Sequence, residues 1–145
     1  MRIQIKEMLP DDFEKVMTLW LASEGVGLSD DDDTPEGLER YLDQNPDLSF
    51  VALDDGDIVG AVLCGQDGRR GYIHHLAVAS SHRMSGTGKA LIERCLGALR
   101  ILGIHKCHIM VFRDNQNAIA FWAKTGWFQR DDIILMSRWI SERSI

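Results

Sequence analysis

Hydrophobic and polar positions repeat with two different periods along the chain, and these periods predict where helices and strands lie. Residues 1–6 alternate between apolar and polar, as a strand does. The apolar side chains of residues 13–20 recur at helical spacing instead. Thr34 followed by Pro35 is typical of a helix start and predicts a second helix that ends near Gln44.

Extended structure is predicted for the middle of the chain. Two apolar runs, residues 48–53 and 58–64, are separated by the turn sequence Asp-Asp-Gly-Asp, which favours a hairpin. A glycine-rich turn then leads into residues 72–78. Three consecutive antiparallel strands are therefore expected.

A βαβ unit, a short helix and a final hairpin are predicted for the rest of the chain. The helical pattern of residues 87–102 is followed by a strand over 105–112, which should lie parallel to the third strand of the meander. A helix over 115–124 and a hairpin of residues 127–129 and 133–139 should complete the sheet. The expected fold is α/β, with a mixed sheet (an antiparallel meander plus one parallel βαβ pair) flanked by helices.

Composition narrows the class of protein. A chain of 145 residues with 45% hydrophobic residues fits a single domain over residues 1–145. Its net charge of −6 argues against a nucleic-acid partner, and no apolar run is long enough to predict a membrane span. The three cysteines have no CxxC spacing, so neither a disulfide framework nor a Cys-rich zinc site is expected. Strand alternation separates His108 from His105 and Cys107, and no carboxylates accompany them, so no metal site is expected there either. We expect a cytoplasmic protein.

The loop before the long helix has the residues best suited to bind a phosphate group. It reads Arg83-Met84-Ser85-Gly86-Thr87-Gly88-Lys89. A helix N-terminus offers unpaired N–H groups and the positive end of the helix dipole, and glycines let a phosphate come close. An ordinary strand-to-helix turn is the alternative interpretation.

Two common nucleotide-binding motifs do not fit this loop. A Walker A loop needs a glycine five residues before the last glycine and a hydroxyl after the lysine, where this chain has Arg83 and Ala90. A Rossmann fingerprint follows the first strand and has a small residue at its third motif position. Here that position is Leu91, and the loop follows the fourth strand. Neither motif therefore explains the loop.

Two sequence segments, together with the predicted order of strands and helices, resemble the GNAT superfamily of N-acetyltransferases. Residues 83–88 match R/Q-x-x-G-x-G/A, the acyl-CoA pyrophosphate signature, and residues 76–78 match the strand ending before it. Residues 115–127 resemble the segment N-x-x-A-x-x-x-Y-x-x-x-G-[FY]. The resemblance covers nearly the whole chain. It implies a GNAT-like fold and direct acetyl transfer from acetyl-CoA, as co-substrate, to a primary amine of a small molecule, peptide or protein.

The resemblance also implies which residues bind acetyl-CoA. Residues 76–78 would pair with the pantetheine arm like an added strand, in a gap between two splayed parallel strands. The amides of residues 84–89 would surround the pyrophosphate, and Trp122 would lie near the thioester. The implied cofactor-binding residues are Leu76, Ala77, Val78, Arg83, Met84, Ser85, Gly86, Thr87, Gly88, Lys89, Asn115, Ala118 and Trp122.

Direct transfer requires a group that accepts the proton of the amine, and the candidates stand on the strand beside the cofactor. In the family, such a base occupies positions that match Tyr72 or His74. Strand alternation puts these two residues and Leu76 on one face and His75 on the other. We expect His74 to be the base, because the pKa of histidine is about 6.5, and a water chain is the alternative. The N–H of Val78 or of its neighbour is the natural oxyanion donor.

Several features have more than one interpretation. The acidic residues 30–33 are expected to form a solvated loop, although they could attract a cationic substrate. Trp122 occupies the position that often holds a tyrosine acid, and indole cannot release a proton. A non-catalytic acyl-CoA binding or sensor module is therefore the alternative function. Trp20, Trp127 and Trp139 are expected in the core, and the acceptor and a homodimeric state are left open.

Overall fold

The computed structural model describes residues 3–141 as a mixed five-stranded sheet with helices on both faces. The elements are β1 (Ile3–Glu7), α1 (Phe13–Leu21), α2 (Pro35–Gln44), β2 (Phe50–Asp54), β3 (Asp57–Gln66), β4 (Gly71–Val78), α3 (Thr87–Ile101), β5 (Cys107–Ile109) and α4 (Gln116–Lys124), with short 3₁₀ turns at Pro10–Asp12 and Ser80–His82. The strands lie in the order β1-β2-β3-β4-β5, antiparallel except for the parallel pair β4–β5. The predicted fold class is confirmed.

An apolar core lies on each face of the sheet, as the alternation along β3 requires. Val62 and Cys64 pack on the face that α3 covers, whereas Ala61 and Leu63 pack on the face that α1 and α2 cover. All four are buried. A strand covered on both faces has a continuous apolar run, which is the pattern of residues 58–64.

Side-chain caps fix the starts of α2 and α4. Thr34 Oγ1 accepts a hydrogen bond from the N–H of Gly37 at 3.0 Å, as the Thr-Pro sequence predicts. Asn115 Oδ1 accepts one from the N–H of Ala118 at 3.1 Å. Each cap satisfies one of the free N–H groups in the first turn of its helix.

The predicted C-terminal hairpin is wrong, and the last strand is shorter than residues 105–112. β5 has three residues, and the described residues after α4 contain no strand. Trp139, expected in the core, is 63% exposed, whereas Trp20 is buried and Trp127 is half-buried against the core under α3. Strand propensity alone does not place a segment in a sheet, and the described residues after α4 contribute no strand to this one.

Within residues 3–141, no helix is long and apolar enough to cross a membrane. No three His, Cys, Asp or Glu side chains in the same range converge to hold a metal ion. The thiols of Cys64 and Cys95 are buried and that of Cys107 is half-buried, and all three are free of disulfides.

Candidate active site

The parallel pairing of β4 with β5 ends after three residues. β5 pairs with Gly71, Tyr72 and Ile73 only, although β4 continues to Val78. The N–H of Ala79 donates to the carbonyl oxygen of Val59 on β3 at 2.8 Å. Backbone groups alternate in direction along a strand, so the N–H and C=O of Val78 point to the side away from β3. The second half of β4 is an open edge onto which an extended ligand can add.

The loop between β4 and α3 leaves the first turn of α3 without a side-chain cap. Gly86, at the N-cap position, has a φ of +86°, and the described residues place no capping side chain there. Ser85 Oγ donates to the carbonyl oxygen of His82 and lies 2.8 Å from Thr87 Oγ1, so neither hydroxyl caps the helix. Uncapped N–H groups with Lys89 beside them favour an anion.

The loop is open to solvent beside Gly86, at the start of α3. A Cβ atom added to Gly86 would meet nothing within 4 Å. The side chain of Met84 is fully exposed, and Arg83 Nε donates to the carbonyl oxygen of Val78 at 3.4 Å. The guanidinium of Arg83 therefore lies where the open edge of β4 meets the start of α3.

Aromatic side chains of α4 form the wall beside this loop. A Cβ atom on Gly88 would lie 3.4 Å from the ring of Phe121. Trp122 packs edge-to-face between Phe121 and Trp127, with ring centroids 5.4 and 5.0 Å away. Asn115, a cofactor-binding residue according to the family resemblance, caps α4 in this structure.

A β-bulge in β4 overturns the predicted placement of His75. The register slips by one residue between Ala61 and Leu63, so that β4 carries an extra residue there. His75 has a φ of +53°, and Trp20 Nε1 donates to its carbonyl oxygen at 2.8 Å. The bulge interrupts the alternation, and the rings of His74 and His75 line the same cavity with centroids 6.5 Å apart.

The cavity that contains both histidines lies between the sheet, α1, α2 and the loop that joins these helices. Its volume is about 340 Å³. Its walls combine apolar side chains with a few polar groups, as small-molecule sites do. The residues that line it include Phe13, Trp20, Asp32, Asp33, Tyr41, Leu63, His74 and His75.

Asp33 joins the acidic loop to the bulge. Its Oδ1 lies 3.1 Å from His75 Nε2, and its Oδ2 accepts a hydrogen bond from the N–H of Ser29 at 2.7 Å. The Asp33 side chain is only 9% exposed, so the prediction of a solvated loop fails at this residue. It holds at Asp30, which is exposed. Nothing in a run of four aspartates indicates which one turns inward.

The environment of His74 favours its neutral form. Burial lowers the pKa of His74 below its usual value, and the neighbouring His75 lowers it further. Asp33 opposes this shift in pKa through its negative charge. A neutral imidazole has a free lone pair and can accept a proton near neutral pH.

Tyr72 lies on the same strand but has a different set of contacts. Its hydroxyl donates to Asp67 Oδ2 at 3.3 Å, and its ring stacks parallel to that of His74. Desolvation raises the pKa of Tyr72, and the charge of Asp67 adds to the shift. A phenol with a raised pKa keeps its proton at neutral pH, so His74 is the better placed of the two to act as a base.

Comparison with protein families finds one family whose model spans the features described above. The model of the acetyltransferase (GNAT) family matches residues 9–127. An acetyltransferase of Pectobacterium atrosepticum is 39% identical over 142 residues, covering 97% of this chain and 99% of its own length. The match therefore includes the open edge of β4, the loop before α3, and α4.

Solved structures share the fold at low sequence identity. PaiA N-acetyltransferase from Thermoplasma acidophilum, solved in complex with coenzyme A, superposes with a TM-score of 0.78 at 18% identity, covering 90% of this chain and 92% of its own. AAC(6')-Iy, in complex with the bisubstrate analogue CoA-S-monomethyl-acetylneamine, gives a TM-score of 0.75 at 20% identity, covering 95% and 99%.

Proposed function

Since the chain belongs to the acetyltransferase (GNAT) family, we propose that it transfers the acetyl group of acetyl-CoA directly to a primary amine bound beside His74. The observation that carries the proposal is that β4 contributes both to an open sheet edge and to a cavity with two histidines. The open edge of β4 leads to the uncapped start of α3, and the bulge of β4 turns two histidines into a cavity on the adjoining face. Acetyl-CoA supplies the acetyl thioester, whose C–S bond breaks as the new C–N bond forms.

The residues around the open edge fit acetyl-CoA. The N–H groups of Thr87, Gly88 and Lys89 belong to the first turn of α3, which no described side chain caps, so a pyrophosphate can accept their hydrogen bonds. On the side away from β3, the backbone of residues 76–78 pairs with no described strand, which leaves an edge for an extended pantetheine arm. Met84 and Ser85 complete the loop, and Arg83 adds positive charge.

Two groups of β4 act at the reacting centre. His74 takes the proton of the amine, directly or through water, because its neutral form persists near neutral pH. The N–H of Val78, on the side of β4 away from β3, donates to the thioester carbonyl oxygen as negative charge develops there. His75 is held by Asp33 and shapes the cavity.

The acceptor is a small amine that carries positive charge. The cavity of about 340 Å³ has two carboxylates, Asp32 and Asp33, in its wall. Carboxylates near a binding site favour a cationic ligand. Tyr41 keeps its hydroxyl proton because burial raises its pKa, so the phenol adds a hydrogen-bonding group without charge.

The proposal is tested by incubating the chain with acetyl-CoA and a panel of diamines, aminosugars and peptides. Release of free thiol should depend on the amine, and mass spectrometry should find one acetyl group on the acceptor for each thiol released. Saturable binding of acetyl-CoA with no amine-dependent thiol release would contradict the proposal and favour a binding module.

Replacing Asp33 should weaken acceptor binding and move the pH profile. Asp33→Asn removes the charge that faces His75 and that raises the pKa of His74. We expect a higher KM for the amine with a smaller change in kcat, and an acidic limb of kcat/KM at lower pH than in the wild type. Asp30→Asn, in the exposed part of the same loop, is the control. It should leave the KM for the amine and the acidic limb of kcat/KM unchanged. An unshifted limb in Asp33→Asn would show that this charge does not act on the base.

Trp122 should contribute packing rather than a proton. Its indole packs between Phe121 and Trp127, and an indole N–H does not ionise at neutral pH. The leaving thiolate can take its proton from solvent, so Trp122→Phe should reduce kcat by less than about tenfold, below the usual cost of losing a general acid. Trp122→Ala should instead weaken acetyl-CoA binding, because aromatic area is lost. A loss beyond about a hundredfold in kcat for Trp122→Phe, at unchanged affinity, would assign a transition-state contact to this N–H.

A further inference from the structure

A histidine in the loop before α3 joins this loop to the turn between β2 and β3. His82 is the last residue of the 3₁₀ turn Ser80–His82, directly before the residues that are proposed to surround the pyrophosphate. Its Nε2 lies 2.7 Å from Asp54 Oδ2, and its Nδ1 lies 2.7 Å from Ser81 Oγ. Both ring nitrogens are therefore engaged, which fixes the orientation of the imidazole. The acetyl transfer described above assigns no role to either His82 or Asp54.

The contact between His82 and Asp54 is a hydrogen bond to a carboxylate that is partly withdrawn from water. A carboxylate can only accept, so Nε2 of His82 carries the proton. The two side chains are 15% and 27% exposed. Hydrogen bonds to charged groups are stronger than those between neutral groups, and a partner left behind after a substitution costs more than the net value of the bond.

The backbone of His82 links this pair to the first residue of α3. Its N–H donates to the carbonyl oxygen of Ala79 at 2.9 Å, and its carbonyl oxygen accepts a hydrogen bond from Ser85 Oγ. Ser85 Oγ also lies 2.8 Å from Oγ1 of Thr87, which is buried. The side chain of His82 thus holds the residue to which Ser85 is bonded, and through Ser85 the loop is joined to the start of α3.

The turn between β2 and β3 also brings negative charge to a loop that is proposed to bind an anion. Asp55 and Asp57 are exposed to solvent, whereas Asp54 is in direct contact with the loop. A carboxylate without a partner at this position would repel a pyrophosphate, and partial burial would limit the screening of its charge by water. The N–H of His82 directs its positive end at this carboxylate and offsets part of the charge.

We propose that His82 is a positioning residue for acetyl-CoA: by keeping Asp54 paired, it holds the loop before α3 in the conformation that accepts the pyrophosphate. The inference rests on the proposed function, since it concerns the same acetyl-CoA site. His82 takes no part in the transfer of the acetyl group, so its loss acts on the affinity for acetyl-CoA. A thioester that lacks the pyrophosphate should bind independently of His82.

The test compares the binding of acetyl-CoA with that of acetylpantetheine, which has the thioester and the pantetheine arm but no pyrophosphate. His82→Ala should raise the Kd for acetyl-CoA about tenfold, the size of one hydrogen bond to a charged group. It should leave the Kd for acetylpantetheine unchanged. His82→Gln, whose amide can still donate to Asp54, should bind both thioesters as the wild type does. Titration calorimetry measures the Kd values, and circular dichroism verifies that each variant is folded.

A second substitution tests whether the unpaired charge of Asp54 causes the loss. Asp54→Asn in the His82→Ala background removes this charge and should restore most of the affinity for acetyl-CoA. Asp55→Asn, at the adjacent exposed position, makes the same change in net charge and is the matched control, which should restore none. If His82→Ala does not fold, His82→Asn provides the same comparison, because its amide is polar but too short to reach Asp54.

The possible failures of this proposal differ from failure of the proposed function. A wild type that binds acetyl-CoA, with an unchanged Kd in His82→Ala, would show that the pair does not position the loop. An equal loss for both thioesters would assign His82 to the general stability of the site. Recovery with Asp55→Asn as large as with Asp54→Asn would attribute the effect to net charge instead of this pair. A wild type that binds no acetyl-CoA would overturn the proposed function together with this inference.

Discussion

Gly86→Glu should abolish acetyl-CoA binding and, with it, acetyl transfer. The substitution puts a carboxylate into the open space before the first turn of α3, where the pyrophosphate is proposed to lie. In the wild type, acetyl-CoA at a hundredfold excess over its Kd should raise the free energy of unfolding by about 2.7 kcal/mol. This raises the Tm by about 5–10 °C for a chain of this size. Thermal unfolding with and without acetyl-CoA should show the increase in the wild type and none in Gly86→Glu.

Gly103→Glu is the matched control for this experiment. Gly86 and Gly103 flank the two ends of α3, with φ values of +86° and +82°, and a Cβ atom at either would meet nothing within 4 Å. Both substitutions therefore impose the same left-handed strain on the backbone, but only one lies before the N-terminus. Gly103→Glu should lower the Tm and keep the full increase with acetyl-CoA. If acetyl-CoA raised the Tm of both variants equally, the pyrophosphate would not bind at the start of α3.

His74→Ala should reduce kcat/KM by about a hundred- to ten-thousandfold, the usual cost of losing a general base. The wild-type rate should rise with pH as His74 loses its proton. Because burial lowers the pKa of His74 in the folded protein, the midpoint of this rise should lie below about 6.5, the usual value for histidine. His74→Ala should lack this acidic limb.

Two further variants separate the role of His74 from general effects of histidine loss. His75→Ala removes the neighbour held by Asp33 and should retain the acidic limb. His105→Ala, an exposed residue before β5, should behave as the wild type. An unaltered pH profile in His74→Ala would rule out its role, and loss of the limb in His75→Ala alone would transfer the role to that residue.

The sequence predicts an anion site in the loop before α3, because the chemistry of such a site is local. Two glycines and two basic residues at a helix start are enough to indicate an anion site, and the structure adds that α3 lacks a side-chain cap. The cavity that His74 and His75 line could not be predicted in the same way. Alternation sends His75 to the opposite face, but the bulge places it beside His74, and a hydrogen bond from Trp20, 55 residues away, accompanies that conformation. Contacts between residues so far apart in the sequence produce no periodic pattern of hydrophobic and polar positions.

The C-terminal segment shows a different limit of sequence-based prediction. Its aliphatic residues have high strand propensity, yet residues 128–141 form no strand in this structure. Propensity describes how well a side chain suits a half-buried pleated surface, not whether a neighbouring strand is available. β5 has only three residues. The sequence does not reveal how short this strand is, so it could not show whether the C-terminal segment would find a strand to pair with.

A crystal structure of the chain with CoA tests the proposed site most directly. The pyrophosphate oxygens should lie within hydrogen-bonding distance of the N–H groups of Thr87, Gly88 and Lys89. The pantetheine arm should pair with the β4 backbone at residues 76–78, and the thiol should point toward the cavity of His74. A CoA molecule bound away from the gap between β4 and β5, or bound there with its thiol remote from His74, would contradict the proposed mechanism.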